Sequence, residues 1–274
     1  MQVLPSIALR AYIRHYLFLS IPAGKGQEYL LRFFPDGCHS MVFTFGTPLH
    51  ISNTTVPTFL PDSFLYGAST SYKDVTTNNA VQVMVVVFQP YGVHRLFGIP
   101  ASAIKNAIIP LDAAINHNVI TGLRDQLAHS NESQWKLIFD HFFTAFLKNA
   151  ITEDSSLMTA LDFIHTNEGL VTSAGLSRLG CSERQLERKF LYEIGISPFA
   201  YSGIVRMHTF LNKLIHFYPQ ESLTSLAYDA QYADQSHLIK SFKKITGITP
   251  TRYLAAPNRL ARNFIEIGSI AFDA

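Results

Sequence analysis

Cysteine is nearly missing from this chain: Cys38 and Cys181 are the two among 274 residues, and they stand too far apart for any metal or redox spacing. A disulfide framework is excluded, and two free thiols in a reducing cytoplasm are the simple expectation. Long uncharged apolar runs are missing too. None reaches the ~18 residues that a membrane-spanning helix needs, so no membrane partner is expected. Arg10, Arg14 and His15 interrupt the first twenty residues, and no export signal with a small-residue cleavage site is visible there. Charged residues are scarce at 15% against 47% hydrophobic, which speaks for packed globular cores and against a long disordered arm. Closely spaced histidines are also absent. His39, His50, His94, His117, His129 and His141 are scattered, without the His-x-His and carboxylate that a metal-dependent small barrel would carry, so no cofactor is expected.

The chain is long enough for two domains. Up to about residue 90 it reads as strands: β-branched and aromatic runs at 15–19, 29–34, 41–45, 64–66 and 81–88 are separated by turn signals such as Pro35-Asp36-Gly37. Many short strands predict a small antiparallel barrel or sandwich. Beyond Pro90 the pattern turns helical. Trp135, Ile138, Phe139, Phe142, Phe143, Phe146 and Leu147 recur at helical spacing over 132–149, as a core stripe or a subunit interface. The expected organisation is α+β: a regulatory β-rich domain with following helices over 1–150, a polar linker over 151–156, an all-α domain over 157–257 and a tail over 258–274.

Charge is unevenly shared. From Val171 to Arg262 there are twelve basic and six acidic residues, a surplus of +6; since the whole chain is +2, the rest is −4. A basic module on an acidic body suits a polyanionic partner.

That module contains a repeat. Shifted by 52 residues, Leu186 falls on Leu238, Phe190 on Phe242, Gly195 on Gly247, Ile196 on Ile248, Pro198 on Pro250 and Tyr201 on Tyr253. Each copy spells a helix. Ser182 and Asp234 are good N-caps, Leu186 with Phe190 and Leu238 with Phe242 form buried stripes, and the two glycines end the helices. A shorter helix precedes each, at about 171–179 and 222–230, which makes two helix-turn-helix units. The outward side chains suit DNA, because Arg bonds bidentately to guanine, Gln to adenine, and Lys to guanine or phosphate.

With Cys-Ser-Glu-Arg-Gln-Leu-Glu-Arg-Lys-Phe at 181–190, Gly-Ile-Ser-Pro at 195–198 and Asp-Gln-Ser-His-Leu-Ile-Lys-Ser-Phe-Lys-Lys-Ile-Thr-Gly-Ile-Thr-Pro at 234–250, the stretch from about Met158 to Ala255 resembles the C-terminal domain of arabinose-regulator (AraC/XylS) transcription regulators. The resemblance implies two helix-turn-helix units bridged by one long helix, here about Pro198 to Phe217. It also implies base contacts from Arg184, Glu187 and Arg188 in the first unit and Gln235, Ser236, Ile239 and Lys240 in the second. Gln185, Lys189, Lys243 and Lys244 are expected to hold phosphates or position the helices. Two residues depart from the family pattern: Leu176 stands where a small residue is usual, and Gln231 where glycine is usual. Pro35-Asp36-Gly37-Cys38 and Val87-Phe88-Gln89-Pro90-Tyr91-Gly92 are similar to the barrel-like sensor domain of one branch of the family, which implies an effector of unknown identity or a homodimer through the N-terminal domain.

Two other classes compete with a regulator of double-stranded DNA. For a cysteine catalyst, Cys38-His39 is the obvious pair, but neighbours on a strand face opposite sides. Cys181, just before a recognition helix, reads as a small apolar filler rather than a reactive thiol. A helical interaction module that ignores DNA would have no use for the basic surplus and the outward Arg, Gln and Lys.

Overall fold

The computed structural model describes residues 1–22, 27–52, 58–152, 154–257 and 259–271. Its strands are β1 (Gln2–Val3), β2 (Ile13–Ile21), β3 (Gln27–Phe33), β4 (Ser40–Gly46), β5 (His50–Ile51), β6 (Thr58–Phe59), β7 (Ser63–Tyr66), β8 (Lys73–Thr77), β9 (Val81–Phe88), β10 (Ile108–Pro110), β11 (Arg259–Ala261) and β12 (Phe264–Ala271). They form two antiparallel sheets of six strands, in the orders β1-β2-β9-β4-β7-β10 and β11-β12-β3-β8-β5-β6.

Strand alternation explains the N-terminal packing. On β2, Leu17, Leu19 and Ile21 face the second sheet with Leu31, Val42, Phe64 and Val75, while Tyr16 and Phe18 turn the other way. The outward set meets Met41, Phe43, Met84 and Phe88 beneath two helices, α4 (His117–Ala128) and α5 (Glu132–Thr144). Both faces of the first sheet are buried, which is why its strands read as nearly unbroken apolar runs. Short helices α1 (Gly92–Phe97), α2 (Ala101–Ile104) and α3 (Leu111–Ala114) lead up to them. The helix expected over 132–149 stops at Thr144 and continues as a 3₁₀ turn at Leu147–Asn149.

The remaining helices are α6 (Ser155–Thr166), α7 (Ser173–Ser177), α8 (Glu183–Glu193), α9 (Pro198–Phe217), α10 (Leu223–Asp229), α11 (Gln235–Thr246) and α12 (Pro250–Leu254). The stretch expected as a linker holds the N-cap of α6, Asp154, and that helix's first two residues; residue 153 lies outside the described residues. None of the helices among the described residues is long and apolar enough to cross a membrane.

The expected tail over 258–274 is corrected by the structure, apart from residues 258 and 272–274, which lie outside the described residues. β12 inserts between β11 and β3 and pairs with β3 from Phe264–Phe33 to Ala271–Gln27. The physical reason is an open edge: β3 pairs with β8 on one side only, and the returning chain satisfies the row of backbone groups on the other. Phe34 N–H donates to the Asn263 carbonyl at 3.0 Å, and Ile265 is fully buried.

Candidate nucleic-acid interface

Two helix pairs, α7–α8 and α10–α11, hang on opposite ends of α9. The first half of α9 packs Tyr201 and Ile204 with Leu176, Leu186 and Phe190; the second half packs Met207, Phe210, Leu211 and Leu214 with Leu226, Ala227, Leu238 and Phe242. These are separate cores. α9 has 20 residues, hence a length of about 30 Å at 1.5 Å per residue, near the ~34 Å between successive major-groove openings.

Local chemistry starts and stops both α8 and α11. The Ser182 hydroxyl accepts the Gln185 N–H while the Gln185 side chain accepts the Ser182 N–H, a reciprocal capping box at α8. At α11 the Asp234 carboxylate accepts the His237 N–H at 2.7 Å. Gly195 and Gly247 follow the two helices at φ +87° and +74°, values that favour a residue without Cβ.

The structure sorts the sequence-predicted residues. Arg184 and Arg188 on α8, and Ser236, Lys240, Lys243 and Lys244 on α11, are exposed, and among the described residues the Arg and Lys of this set form no ion pair. Glu187, Gln235 and Ile239 are half-buried beside them. Gln235 Oε1 accepts from the Thr224 hydroxyl at 3.0 Å, tying α11 to α10. Two residues have other employment. Gln185 is spent on its cap, and the Lys189 ammonium lies 2.7 Å from Asp154 and also donates to Ser156 Oγ. Burial would raise the Asp154 carboxyl, yet hydrogen bonds from Lys189, Ser156 and the Leu157 N–H hold it down at about 2.

The two departures from the family pattern are both accommodated. Leu176 is buried in the first unit's core. Gln231 occupies the turn of the second unit at φ +55°, the left-handed conformation that glycine takes most easily. Arg206 on α9 stacks over Tyr232 at 4.0 Å and donates to the carbonyls of Ala230, at 3.1 Å, and Gln231.

Sequence reasoning missed that the N-terminal half reaches this surface. Ser102 of α2 borders a recess with Ser182, Arg184, Gln185, Glu187 and Arg188. No local signal marks Ser102, because the contact spans about eighty positions of sequence.

A second cavity, of about 110 Å³, lies between the sheets. Leu17, Val42, Phe64, Val75, Val83 and Val85 give it apolar walls; His15, Asp36, Cys38, Ser40 and Asn263 give it polar edges. Among the described residues lining it there is neither Lys nor Arg. Burial, reinforced by Asp36, pushes the Cys38 thiol up to about 12 although Arg14 works the other way, so it is not a nucleophile at neutral pH. His39 turns away from Cys38, with Nδ1 3.1 Å from the Pro90 carbonyl.

Residues 176–256 match the family model described as a helix-turn-helix domain, and residues 1–110 match one described as a domain of unknown function, DUF6597. No curated protein matches the sequence. The fold is similar to that of an apo variant of ToxT from Vibrio cholerae, with 14% identity, 88% of this chain and 97% of that chain covered, and a TM-score of 0.51. It is similar also to ToxT from Vibrio cholerae O395 bound to (E)-4-(8-methylnaphthalen-1-yl)but-3-enoic acid, with 14% identity, 88% and 97% coverage, and a TM-score of 0.50. The duplicated, capped helix pairs on one bridging helix, behind an antiparallel β-rich half and within a matched helix-turn-helix domain, make this chain a DNA-binding transcription regulator that reads DNA through the helix-turn-helix domain at 176–256.

Proposed function

We propose that one chain reads two short blocks of DNA about one helical turn apart, with Arg184, Glu187 and Arg188 in the first block and Gln235, Ser236, Ile239 and Lys240 in the second. The observation that carries this reading is the pair of capped helices at either end of α9 with outward Arg and Lys that form no ion pair among the described residues. Lys243 and Lys244, in the last turn of α11, hold phosphates. Because the two faces differ in chemistry, the blocks are not copies of one another. Gln185 and Lys189 act by holding α8 in place. Selection from random DNA with the full chain tests the reading. The expected product is two unlike blocks 10 to 10.5 base pairs apart, centre to centre. A single enriched block, or two inverted copies bound by one chain, would overturn it.

We further propose that a small apolar molecule in the cavity between the sheets is the effector. An apolar space of about 110 Å³ is near the ~150 Å³ that suffices for benzene. ToxT has been captured with an aryl-butenoic acid, which supports a small-molecule effector in this fold. Among the described residues the lining offers the Asp36 carboxylate and neither Lys nor Arg, so a neutral compound suits this cavity better than a carboxylic acid. A thermal-shift screen of matched neutral and acidic compounds should stabilise the protein with the neutral set only.

A further inference from the structure

The two recognition helices are gripped at the same position of the repeat by the N-terminal half of the chain. After α8, Gly195 lies so close to α2 that an added Cβ would stand 2.8 Å from the Ala101 carbonyl oxygen. After α11, the matching Gly247 lies so close to β3 that an added Cβ would run into the Arg32 guanidinium and the Tyr72 ring. Beside each glycine sits a buried arginine stacked on a tyrosine: Arg95 over Tyr91 and Arg32 over Tyr72, each at 3.9 Å. Arg95 donates to Glu193, the last residue of α8, at 3.4 Å, and to the Met158 sulfur at 3.7 Å. Arg32 is held by Asp74 through two bonds of 2.6 Å and donates to the carbonyl of Thr246, the last residue of α11, at 3.4 Å. His94 adds an edge contact to Tyr192 of α8, and Phe34 one to Tyr253 of α12.

We infer that Arg95 and Arg32 are positioning residues for DNA recognition, fixing the separation and mutual orientation of α8 and α11 through the N-terminal half. The cores of the two helix-turn-helix units are separate, so α9 by itself leaves them free to bend and twist about one rod. A second connection closes a ring from α8 through the N-terminal half to α11 and back along α9, which removes that freedom. A planar guanidinium locked between a ring and hydrogen-bond acceptors suits such a joint, because its orientation is fixed as well as its place. The helix ends beside the glycines are the points where force on the helices changes their angle without touching the reading side chains. This inference rests on the proposed base-reading only for its consequence in DNA spacing; the geometry itself is independent of it.

Double electron–electron resonance on the free full chain tests it. Spin labels go on Ser177→Cys of α7 and Asp229→Cys of α10, both exposed, with Cys181→Ser to remove the accessible native thiol while buried Cys38 stays. The unaltered interface should give one narrow distance distribution. Combining Arg95→Met and Glu193→Gln with Arg32→Met and Asp74→Asn, which leaves no buried carboxylate unpaired, should widen it by at least half at temperatures well below melting. An unchanged distribution in a folded variant overturns the inference, since a merely stabilising contact would lower the melting point and leave the distance alone. If that variant does not fold, Tyr91→Leu with Tyr72→Leu keeps both ion pairs and loosens both stacks, with the same two outcomes. On selected DNA, a one-base-pair change in block spacing should weaken the unaltered protein about tenfold and the widened variant less than threefold. A selection that yields one block removes the base-reading proposal while the resonance result still decides the clamp.

Discussion

Lys189 and Asp154 meet at 2.7 Å and join the first recognition helix to the N-cap of α6, 35 positions earlier in sequence. Because that lysine is already paired, Lys189→Ala should leave the salt dependence of DNA binding unchanged, whereas Lys243→Ala should flatten it by about one unit of slope. The pairing also has a pH signature. The Asp154 carboxyl is held at about 2 in the folded chain, below its ordinary 3.8, so its contribution is complete above pH 3.8 and disappears as pH falls toward 2. Acid titration of Asp154→Asn should lose that part of the slope. Equal acid midpoints and slopes for both proteins would show that the pair contributes nothing to folding.

Arg188 is exposed on α8, on the face proposed to read bases. Arg188→Ala should weaken the selected site by ~1–3 kcal/mol and relax preference at one base position. Mobility shifts on selected and random duplexes check this, and equal losses on both would reassign Arg188 to the backbone.

Gln231 pays for its left-handed turn in backbone strain. Gln231→Gly should raise stability by up to about 1 kcal/mol, the relief being partly offset by a more flexible unfolded chain. Gln231→Val, stiffer still, should lower it by roughly 1–2 kcal/mol. Urea midpoints decide, and a destabilised glycine variant would mean that the Gln231 side chain makes a compensating contact.

The aromatic stripe of α5 points inward. Phe139 and Phe143 are fully buried, with Phe139 against Tyr16, Phe18 and Phe43 at ring separations of 5.2, 6.2 and 5.7 Å. Phe142 and Phe146 are half-buried on the same cluster, so none of the four is fully exposed. Phe139→Ala should therefore cost about 3–5 kcal/mol without changing the mass measured by light scattering. A change of oligomeric state at undiminished stability would restore the stripe as a subunit interface.

His39 is buried without exposure, and Nε2 has no hydrogen-bond partner among the described residues. Burial lowers it to about 4, against the opposing pull of the Pro90 carbonyl and Asp36 and with a small push from His94. The unfolded chain takes up a proton near pH 6.5 that the folded chain refuses. Stability from this residue is thus present above pH 6.5 and lost as pH falls to about 4. His39→Gln should melt at temperatures less sensitive to pH across that window. His15, His165 and His208, also lowered by burial, leave a residual slope. A slope as steep as in the unaltered protein would remove His39 as its source.

The reading helices were legible because everything that makes them lies within a dozen residues: a capping side chain, an apolar pair four apart, a terminal glycine, and the whole pattern repeated 52 positions later. The long helix from Pro198 to Phe217 was legible for the same reason, its N-cap Ser197 and Pro198 being adjacent. Alternating apolar runs likewise predicted five strands, while short β5 and β6 and polar β8 carried too little pattern to be seen.

What tertiary structure alone decided depends on partners far apart in the chain. β12 is a strand because β3 offers an open edge some 230 positions away, and Lys189 is spent because folding brings it to Asp154. Arg32 and Arg95 look like ordinary surface cations until burial places one against Thr246 and the other against Glu193. Helix caps and stripes are set by neighbours in sequence, so a sequence states them directly. Sheet edges, buried ion pairs and domain contacts are set by loop closure and desolvation between remote segments, and only the folded chain brings those segments together.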